Sequence, residues 1–284
     1  INAEHRSKGR KPMDGPAVDC LDDALKLPDG VDRGTFLDTL CPPLPENYAI
    51  PALEPGAVSK IVDMREFRKY IRAHWSDEDW RMHRWAYARL TERVDAEIAV
   101  VLDALRETRL DEDTVVIFTS DHGDLDAAHK LEHKSILYEE AMRVPFIISW
   151  KGKTKSGVAD AANLVSSGLD LIPTMCDYAG IEPPASLHGC SARPMAEGRS
   201  PSTLREYVPV ETQFGRSIVT KRYKYNLYDS GAHREQLTDL EADPGEMNNL
   251  AEDEKHRDVL KAHRALLRDW IGRNSDATAE KYLV

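Results

Sequence analysis

A carboxylate and an imidazole stand side by side in the segment Ser120-Asp121-His122-Gly123-Asp124. Carboxylate oxygens favour a hard divalent ion such as Ca²⁺ or Mg²⁺, whereas imidazole is more usual for zinc or manganese. The residue types therefore indicate a metal site on Asp121 and His122 and leave the ion open. The alternative is structural, with Asp121 capping a turn and His122 serving as an ordinary polar residue.

Two other metal-binding patterns overlap the next residues. An EF-hand would need acidic residues at alternate positions before its glycine, but here glycine comes too early, at the third position. His129-Lys130-Leu131-Glu132-His133 matches H-x-x-E-H, the inverted zinc-protease motif, with Glu132 as the base. A zinc site of this kind requires both histidines on one helix face and a third ligand downstream, and no third ligand is evident in the sequence. It is kept as an alternative of a different class.

Lys134, thirteen residues after Asp121, is a cation that suits an anionic ligand. A lysine ammonium is a compact point charge that can hold an anionic oxygen. A solvated helix position is the ordinary alternative for a single lysine. Asp124, His129 and His133 are close enough to Lys134 in sequence to line a substrate pocket, although proximity alone assigns no role.

The strands and helices that must position these residues follow an α/β rhythm. Residues 114–120 form a continuous β-branched and aromatic run, which predicts a strand buried on both faces of a parallel sheet. A second such run covers residues 144–150, after a short helix expected around 136–142. Ligands of open α/β sheets bind beyond the carboxyl ends of strands, where Asp121 and His122 lie.

Before and after these two strands in the chain, the sequence predicts helices and a second sheet. Apolar residues recur at spacings of three and four from Ala86 to Leu105, which predicts a long amphipathic helix. Ser76 with Asp79 three residues later resembles a capping box, so the helix should begin there. Another helix should cover residues 170–178. Residues 189–201 are rich in Ser, Pro, Arg and Gly and form the predicted linker. Short alternating segments beyond it predict a small antiparallel sheet, followed by a last amphipathic helix. Residues 1–57 look irregular.

The composition excludes several classes of protein. The chain has 284 residues, a net charge of −11, 41% hydrophobic residues and 31% charged residues, which suits a protein with a real core. The acidic balance argues against sequence-independent nucleic-acid binding. No apolar run reaches the roughly 18 residues of a membrane span. Four dispersed cysteines make a disulfide framework or a Cys-rich zinc site unexpected.

Residues 115–123 resemble the metal-binding strand end of the type I, formylglycine-dependent sulfatases of the alkaline-phosphatase-like superfamily. The similarity continues through several short motifs in the family's order and covers roughly residues 40–272. The further matching segments are 134–140, 143–146, 170–181, 221–225 and 237–246. The resemblance implies a partial α/β sandwich, with helices around a mainly parallel sheet, over residues 1–196. A small antiparallel subdomain with a C-terminal helix should follow over residues 197–284.

The resemblance also implies a function. The chain is expected to belong to a sulfuric ester hydrolase that cleaves a small sulfated molecule such as a carbohydrate sulfate. Asp121 and His122 would supply part of a Ca²⁺ site, with Mg²⁺ as the other candidate, and Lys134 would contact the transferring sulfate. No nucleic-acid partner is expected. Relatives suggest a periplasmic or secreted location, although the chain carries no signal peptide of its own.

The family's nucleophile motif is missing. Formylglycine is made from Cys or Ser in C/S-x-P-x-R, and Cys41 comes nearest but has Pro45 where Arg is required. The chain is therefore expected to be the C-terminal portion of a sulfatase, inactive alone and poorly soluble without its N-terminal half. A phosphodiesterase or phosphonate hydrolase of the same superfamily is the close alternative, because phosphate and sulfate are nearly isosteric. The other alternative is a protein that keeps the metal site but has lost catalysis.

Overall fold

A computed structural model describes residues 26–201 and 205–283. Among these residues, two strands precede the linker region and four follow it. The elements in chain order are α1 Arg33–Thr39, α2 Gly56–Asp63, α3 Glu66–His74, α4 Asp77–Glu107, β1 Val116–Thr119, α5 Glu139–Met142, β2 Phe146–Ser149, α6 Ser167–Ala179, α7 Arg193–Ala196, β3 Val208–Thr212, β4 Gly215–Val219, β5 Tyr223–Tyr228, β6 Glu235–Asp239 and α8 Arg257–Asn274. Among these helices, none is both long and apolar enough to cross a membrane.

The long helix predicted from the apolar spacing is α4, and its predicted capping box is present. The Ser76 backbone N–H donates to Asp79 Oδ2 at 2.9 Å, and the Asp79 N–H donates back to Ser76 Oγ at 3.2 Å. Only Trp80 and Ala86 are buried along the helix. The apolar stripe therefore packs at its N-terminal end, while its later part faces outward, with Val101 61% exposed.

The expected parallel sheet is not found in the described part of the chain. β1 and β2 pair antiparallel, with Ile117 opposite Ile148. The expectation of burial on both faces was also wrong, since Phe118 is 40% and Ile147 is 55% exposed. A continuous apolar run predicts that other parts of the protein pack on both faces of a strand. It does not predict whether the adjacent strand runs parallel or antiparallel. Here the chain between the strands doubles back, which makes the pair antiparallel.

Two other segments differ from the sequence expectation. The helix expected around residues 136–142 is the shorter α5, and residues 33–39, within the stretch expected to be irregular, form α1. The linker region contains α7 and is tied to α6, because Ala192 N–H donates to Thr174 Oγ1 at 2.9 Å and Cys190 N–H donates to Asp170 Oδ1 at 2.8 Å. The two-part division at residue 196 stays a prediction.

The predicted antiparallel subdomain is present. Its strands run in the order β3-β4-β5-β6, each antiparallel to the next. Buried side chains of β4–β6, including Ile218, Tyr225 and Leu237, share one core cluster with Leu267 and Ile271 of α8. Two hydrogen bonds join this subdomain to the residues that follow Lys134. Leu137 N–H donates to Tyr228 Oη at 3.2 Å, and Asn226 Nδ2 donates to the Leu137 carbonyl at 3.0 Å.

Candidate functional site

The turn after β1 is shaped by a close approach between two backbones. Gly123 N–H donates to the Ala141 carbonyl at 2.9 Å, which joins the turn to α5. A Cβ at Gly123 would lie 1.9 Å from the Glu140 carbonyl oxygen, a position that no side chain can occupy without displacing the backbone. Glycine is therefore required here for space, and its absence of a side chain lets Asp121 and His122 sit directly above α5.

We expect Gly123→Ala to lower the free energy of unfolding by about 3 kcal/mol, near the upper end for overpacking. The clash would be with backbone atoms, which cannot move aside as a flexible side chain can. Urea unfolding monitored by circular dichroism would measure the loss. Gly272→Ala is the matched control, because nothing lies within 4 Å of the added Cβ. That control should be neutral or stabilising by up to about 1 kcal/mol, since it removes a helical glycine. Equal stability of Gly123→Ala and the parent protein would contradict the steric argument.

The His122 ring is oriented by its own turn. Its Nδ1 lies 2.8 Å from the Gly123 carbonyl oxygen, which can only accept a hydrogen bond, so the Nδ1–H donates there. In the neutral ring this leaves a lone pair on Nε2. Nε2 lies 3.2 Å from Asp121 Oδ2 and also contacts the Lys134 ammonium.

Asp121 presents the most open carboxylate of this group. Its side chain is 81% exposed, and its Oδ1 accepts the His122 N–H at 3.0 Å. Partial desolvation opposes ionisation, but His122, the backbone N–H groups and Lys134 outweigh it and lower the pKa of Asp121. The carboxylate is thus ionised at neutral pH and accessible to a ligand.

Asp121, His122 and Lys134 line one cleft. Its other walls come from residues 141–146, 165–169 and 208–213, so α5, the start of α6 and β3 all contribute. The cleft volume of about 690 Å³ is in the range of small-molecule sites, roughly 300–1,000 Å³. The antiparallel subdomain therefore forms part of the same cleft as the candidate metal ligands.

The donor set fits a divalent cation in part. The Asp121 carboxylate and the His122 Nε2 lie 3.2 Å apart, and an Nδ1–H bond to a carbonyl is the usual way to orient a ligating histidine. No group of three or more His, Cys, Asp or Glu side chains that could hold a metal occurs in residues 26–201 and 205–283. Since Ca²⁺ takes six to eight oxygen ligands, the described residues would supply only part of its shell.

The H-x-x-E-H motif does not form the helical zinc site that the pattern required. His129 and His133 have left-handed backbone angles, with φ of 54° and 71°. The buried His129 ring stacks on Tyr138 with 3.7 Å between centroids, while Glu132 pairs with Arg68 at 2.9 Å. Burial, followed by the charges of Lys224 and Arg72, lowers the pKa of His129 to about 3, so it is a neutral core residue.

Two polar residues behind the site were missed as functional candidates. Asn47 Nδ2 donates to Glu140 Oε1 at 2.7 Å and to the Gly245 carbonyl at 3.2 Å, and it lies 3.3 Å from His129 Nε2. The fully buried Lys224 pairs with Glu246 at 2.5 Å. These residues lie far apart in sequence, and no local pattern could have indicated their contacts.

Comparison with known proteins adds independent evidence. The sulfatase family model matches residues 56–181, and the model described as N-sulphoglucosamine sulphohydrolase, C-terminal, matches residues 127–271. The Delta 4,5-hexuronate-2-O-sulfatase of Bacteroides thetaiotaomicron is 36% identical over 246 residues, which are 83% of this chain and 51% of that protein. The chain spans between 38% and 51% of the length of the first three curated relatives.

Solved structures agree with the family models. A 2-O GAG sulfatase superposes with a TM-score of 0.78 at 29% identity, over 95% of this chain and 68% of that one. The phosphonate monoester hydrolase of Agrobacterium radiobacter superposes with a TM-score of 0.62 at 25% identity, over 70% of this chain and 43% of that one. Because the two family models together span both the cleft and the antiparallel subdomain, the chain belongs to the sulfatase family, with its alkaline-phosphatase-like α/β fold.

Proposed function

We propose that this chain is the C-terminal part of a sulfuric ester hydrolase, in which Asp121 and His122 hold a divalent cation and Lys134 contacts the sulfate. The observation that carries the proposal is the convergence of the three side chains in one cleft. Ca²⁺ is the first choice of ion, with Mg²⁺ as the alternative, because an anionic carboxylate oxygen is the most exposed donor.

Each residue has a distinct part in the proposed reaction. The Gly123 carbonyl orients the His122 ring, and His122 and ionised Asp121 would hold the ion, with Asp121 supplying negative charge. A bound divalent ion would polarise the sulfate oxygens. The Lys134 ammonium offers hydrogen bonds and positive charge to the oxygens on which negative charge grows in the transition state.

The proposed substrate is a carbohydrate sulfate or another small sulfated molecule. Support comes from the cleft volume and from the relatives, whose names include a hexuronate 2-O-sulfatase and an N-acetylglucosamine-6-O-sulfatase. Those activities belong to the relatives. Their variety favours sulfate on a sugar as the substrate class and assigns no sugar or ring position.

The proposal places the nucleophile in another part of the protein. The 284 residues hold no C/S-x-P-x-R motif, and the relatives are about twice as long as the matched part. Phe118, Ile147 and Val101 are exposed on β1, β2 and α4, as expected of surfaces that more of the same protein covers. We therefore expect the chain alone to be inactive and prone to association.

An assay on the complete protein, with the 284-residue chain alone beside it, tests this function. We expect 4-nitrophenyl sulfate to be hydrolysed faster than a phosphodiester or phosphonate monoester by the complete protein, and chelation to stop turnover. Asp121→Ala should weaken Ca²⁺ binding at least about tenfold by calorimetry. Asp103→Ala, an exposed carboxylate paired with Arg106, is the control that should leave binding unchanged.

Three outcomes would contradict parts of the proposal. Faster turnover of the phosphorus esters would favour the phosphonate hydrolase alternative, which the Agrobacterium structure supports. Unchanged Ca²⁺ affinity in Asp121→Ala would remove Asp121 from the metal site. Sulfate hydrolysis by the chain alone, lost in Asp121→Ala, would show that no outside nucleophile is needed.

A further inference from the structure

The loop between His122 and Lys134 returns the chain to the site through an unusual backbone path. Within it and at its end, several residues other than glycine adopt the left-handed region: Asp126, Ala127, His129, Lys130, His133 and Ser135. Each such conformation costs roughly 1–2 kcal/mol for an L-residue. The path is therefore not a local preference of these residues, and specific contacts must hold it.

Asp124 supplies the contact that closes the loop beside Lys134. Its Oδ1 accepts the Asp126 N–H at 2.9 Å and the His133 N–H at 3.2 Å. The Leu125 N–H also donates to the His133 carbonyl at 2.8 Å. Asp124 lies two residues after His122, and His133 directly precedes Lys134. One carboxylate oxygen thus joins the two ends of the loop, by hydrogen bonds that its charge strengthens.

The rest of the loop is held independently of Asp124. Leu125, Ala128 and Leu131 are buried, and His129 N–H donates to the Asn47 carbonyl at 2.9 Å. Beyond Lys134, Leu137 is held by the antiparallel subdomain, as described above. Lys134 therefore lies between two anchors, and the anchor on the His122 side consists of the Asp124 carboxylate and the Leu125–His133 hydrogen bond.

We infer that Asp124 is a positioning residue that holds the Lys134 ammonium at the His122 edge of the cleft and does not itself touch substrate. The inference rests on the proposed function for its kinetic consequence, while the positioning itself can be measured without turnover. It assigns Asp124 a role that its place in the sequence left open. Two backbone N–H groups occupy its Oδ1, which distinguishes it from the exposed carboxylate of Asp121.

A double-mutant cycle on the complete protein tests the kinetic part. Asp124→Ala should lower kcat/KM for 4-nitrophenyl sulfate by about ten- to 100-fold, the scale of a small misplacement of a catalytic group. In a Lys134→Ala background the same change should have almost no further effect, because the group that it positions is gone. Asp124→Asn keeps an accepting oxygen and should recover most of the activity.

Asp126→Ala is the matched control in the same loop. The Asp126 carboxylate pairs with Arg84 at 3.0 Å, on the side of the loop away from the Lys134 contact. The effect of Asp126→Ala on kcat/KM should therefore be additive with the effect of Lys134→Ala. A full Asp124→Ala effect in the Lys134→Ala background would show a general structural role and overturn the inference. An Asp124→Asn variant as impaired as Asp124→Ala would point to a need for charge, as in a metal ligand, and would also overturn it.

A second readout does not depend on sulfatase activity. In the complete protein freed of divalent cations, the ¹⁵N chemical shift of His122 Nε2 reports its contact with the Lys134 ammonium. We expect this shift to change alike in Asp124→Ala and Lys134→Ala but not in Asp126→Ala. That result with no sulfate turnover would uphold the positioning while the proposed function fails. An unchanged shift in Asp124→Ala would refute the positioning even if the protein is a sulfatase.

Discussion

Lys134→Ala should lower kcat/KM for a sulfate ester by about 10²–10³-fold in the complete protein, the usual loss on removing one preorganised group that stabilises transition-state charge. Lys134 is half-buried in the cleft, and its ammonium is held beside His122 Nε2. Steady-state kinetics would measure the loss. Because the contact strengthens as charge moves to the sulfate oxygens, kcat should fall more than KM rises.

Lys130→Ala is the matched control for this prediction. Lys130 lies on the same loop, but its ammonium is 5.0 Å from the centre of the Tyr48 ring, away from the group formed by Asp121, His122 and Lys134. We expect its activity to remain within about twofold of the parent protein, since only a cation–π contact is lost. Lys134→Ala activity equal to that of Lys130→Ala would remove Lys134 from the catalytic group.

Lys224→Met should lower the free energy of unfolding by about 3–5 kcal/mol at pH 8, the usual cost of removing one partner of a buried ion pair. Lys224 is fully buried, and its ammonium lies 2.5 Å from Glu246 and 3.1 Å from Glu139. Methionine keeps most of the side-chain volume, so the loss would come mainly from the stranded Glu246 carboxylate, which is only 1% exposed. Denaturant unfolding would measure it.

The cost of Lys224→Met should depend on pH. Burial raises the pKa of Glu246 from 4.5 to about 7 even with Lys224 present, and removing Lys224 would raise it further. A carboxyl whose pKa is raised by folding favours the native state while it is protonated, and that contribution is lost as pH rises through the folded pKa. The variant should therefore be least impaired near pH 5 and most impaired near pH 8.

Lys60→Met separates this effect from the loss of any lysine. The Lys60 ion pair with Asp229 spans 3.2 Å, and its side chains are 50% and 28% exposed. Exposed pairs of this kind contribute about 0–1 kcal/mol. A loss for Lys224→Met no greater than that of Lys60→Met, or one that does not change with pH, would contradict the buried-charge argument.

The Lys224–Glu246 pair is also connected to the candidate site through α5. Glu246 Oε2 accepts the Glu139 backbone N–H at 2.6 Å, so the antiparallel subdomain holds the start of α5. The carbonyl of Glu140, the next residue, is the one that excludes a side chain at Gly123. The subdomain thus helps to set the turn that carries Asp121 and His122.

The amino-acid sequence by itself determined several local elements and named Asp121, His122 and Lys134 as candidates for the site. The capping box at Ser76 and the small antiparallel sheet were predicted from short-range patterns. Such patterns succeed because helix caps, strand alternation and motif spacing depend on residues a few positions apart. They also carried the family resemblance, which the family models confirm.

Only the tertiary structure decided which residues serve the site and which support it. It made β1 and β2 antiparallel, buried His129 against Tyr138 and left Asp124 as a backbone acceptor. The contacts of Asn47 cross 82, 93 and 198 positions of the chain. Periodicity measures how often a residue type recurs along the chain, whereas strand direction, burial and long-range partners depend on how the chain returns, so these features required the folded structure.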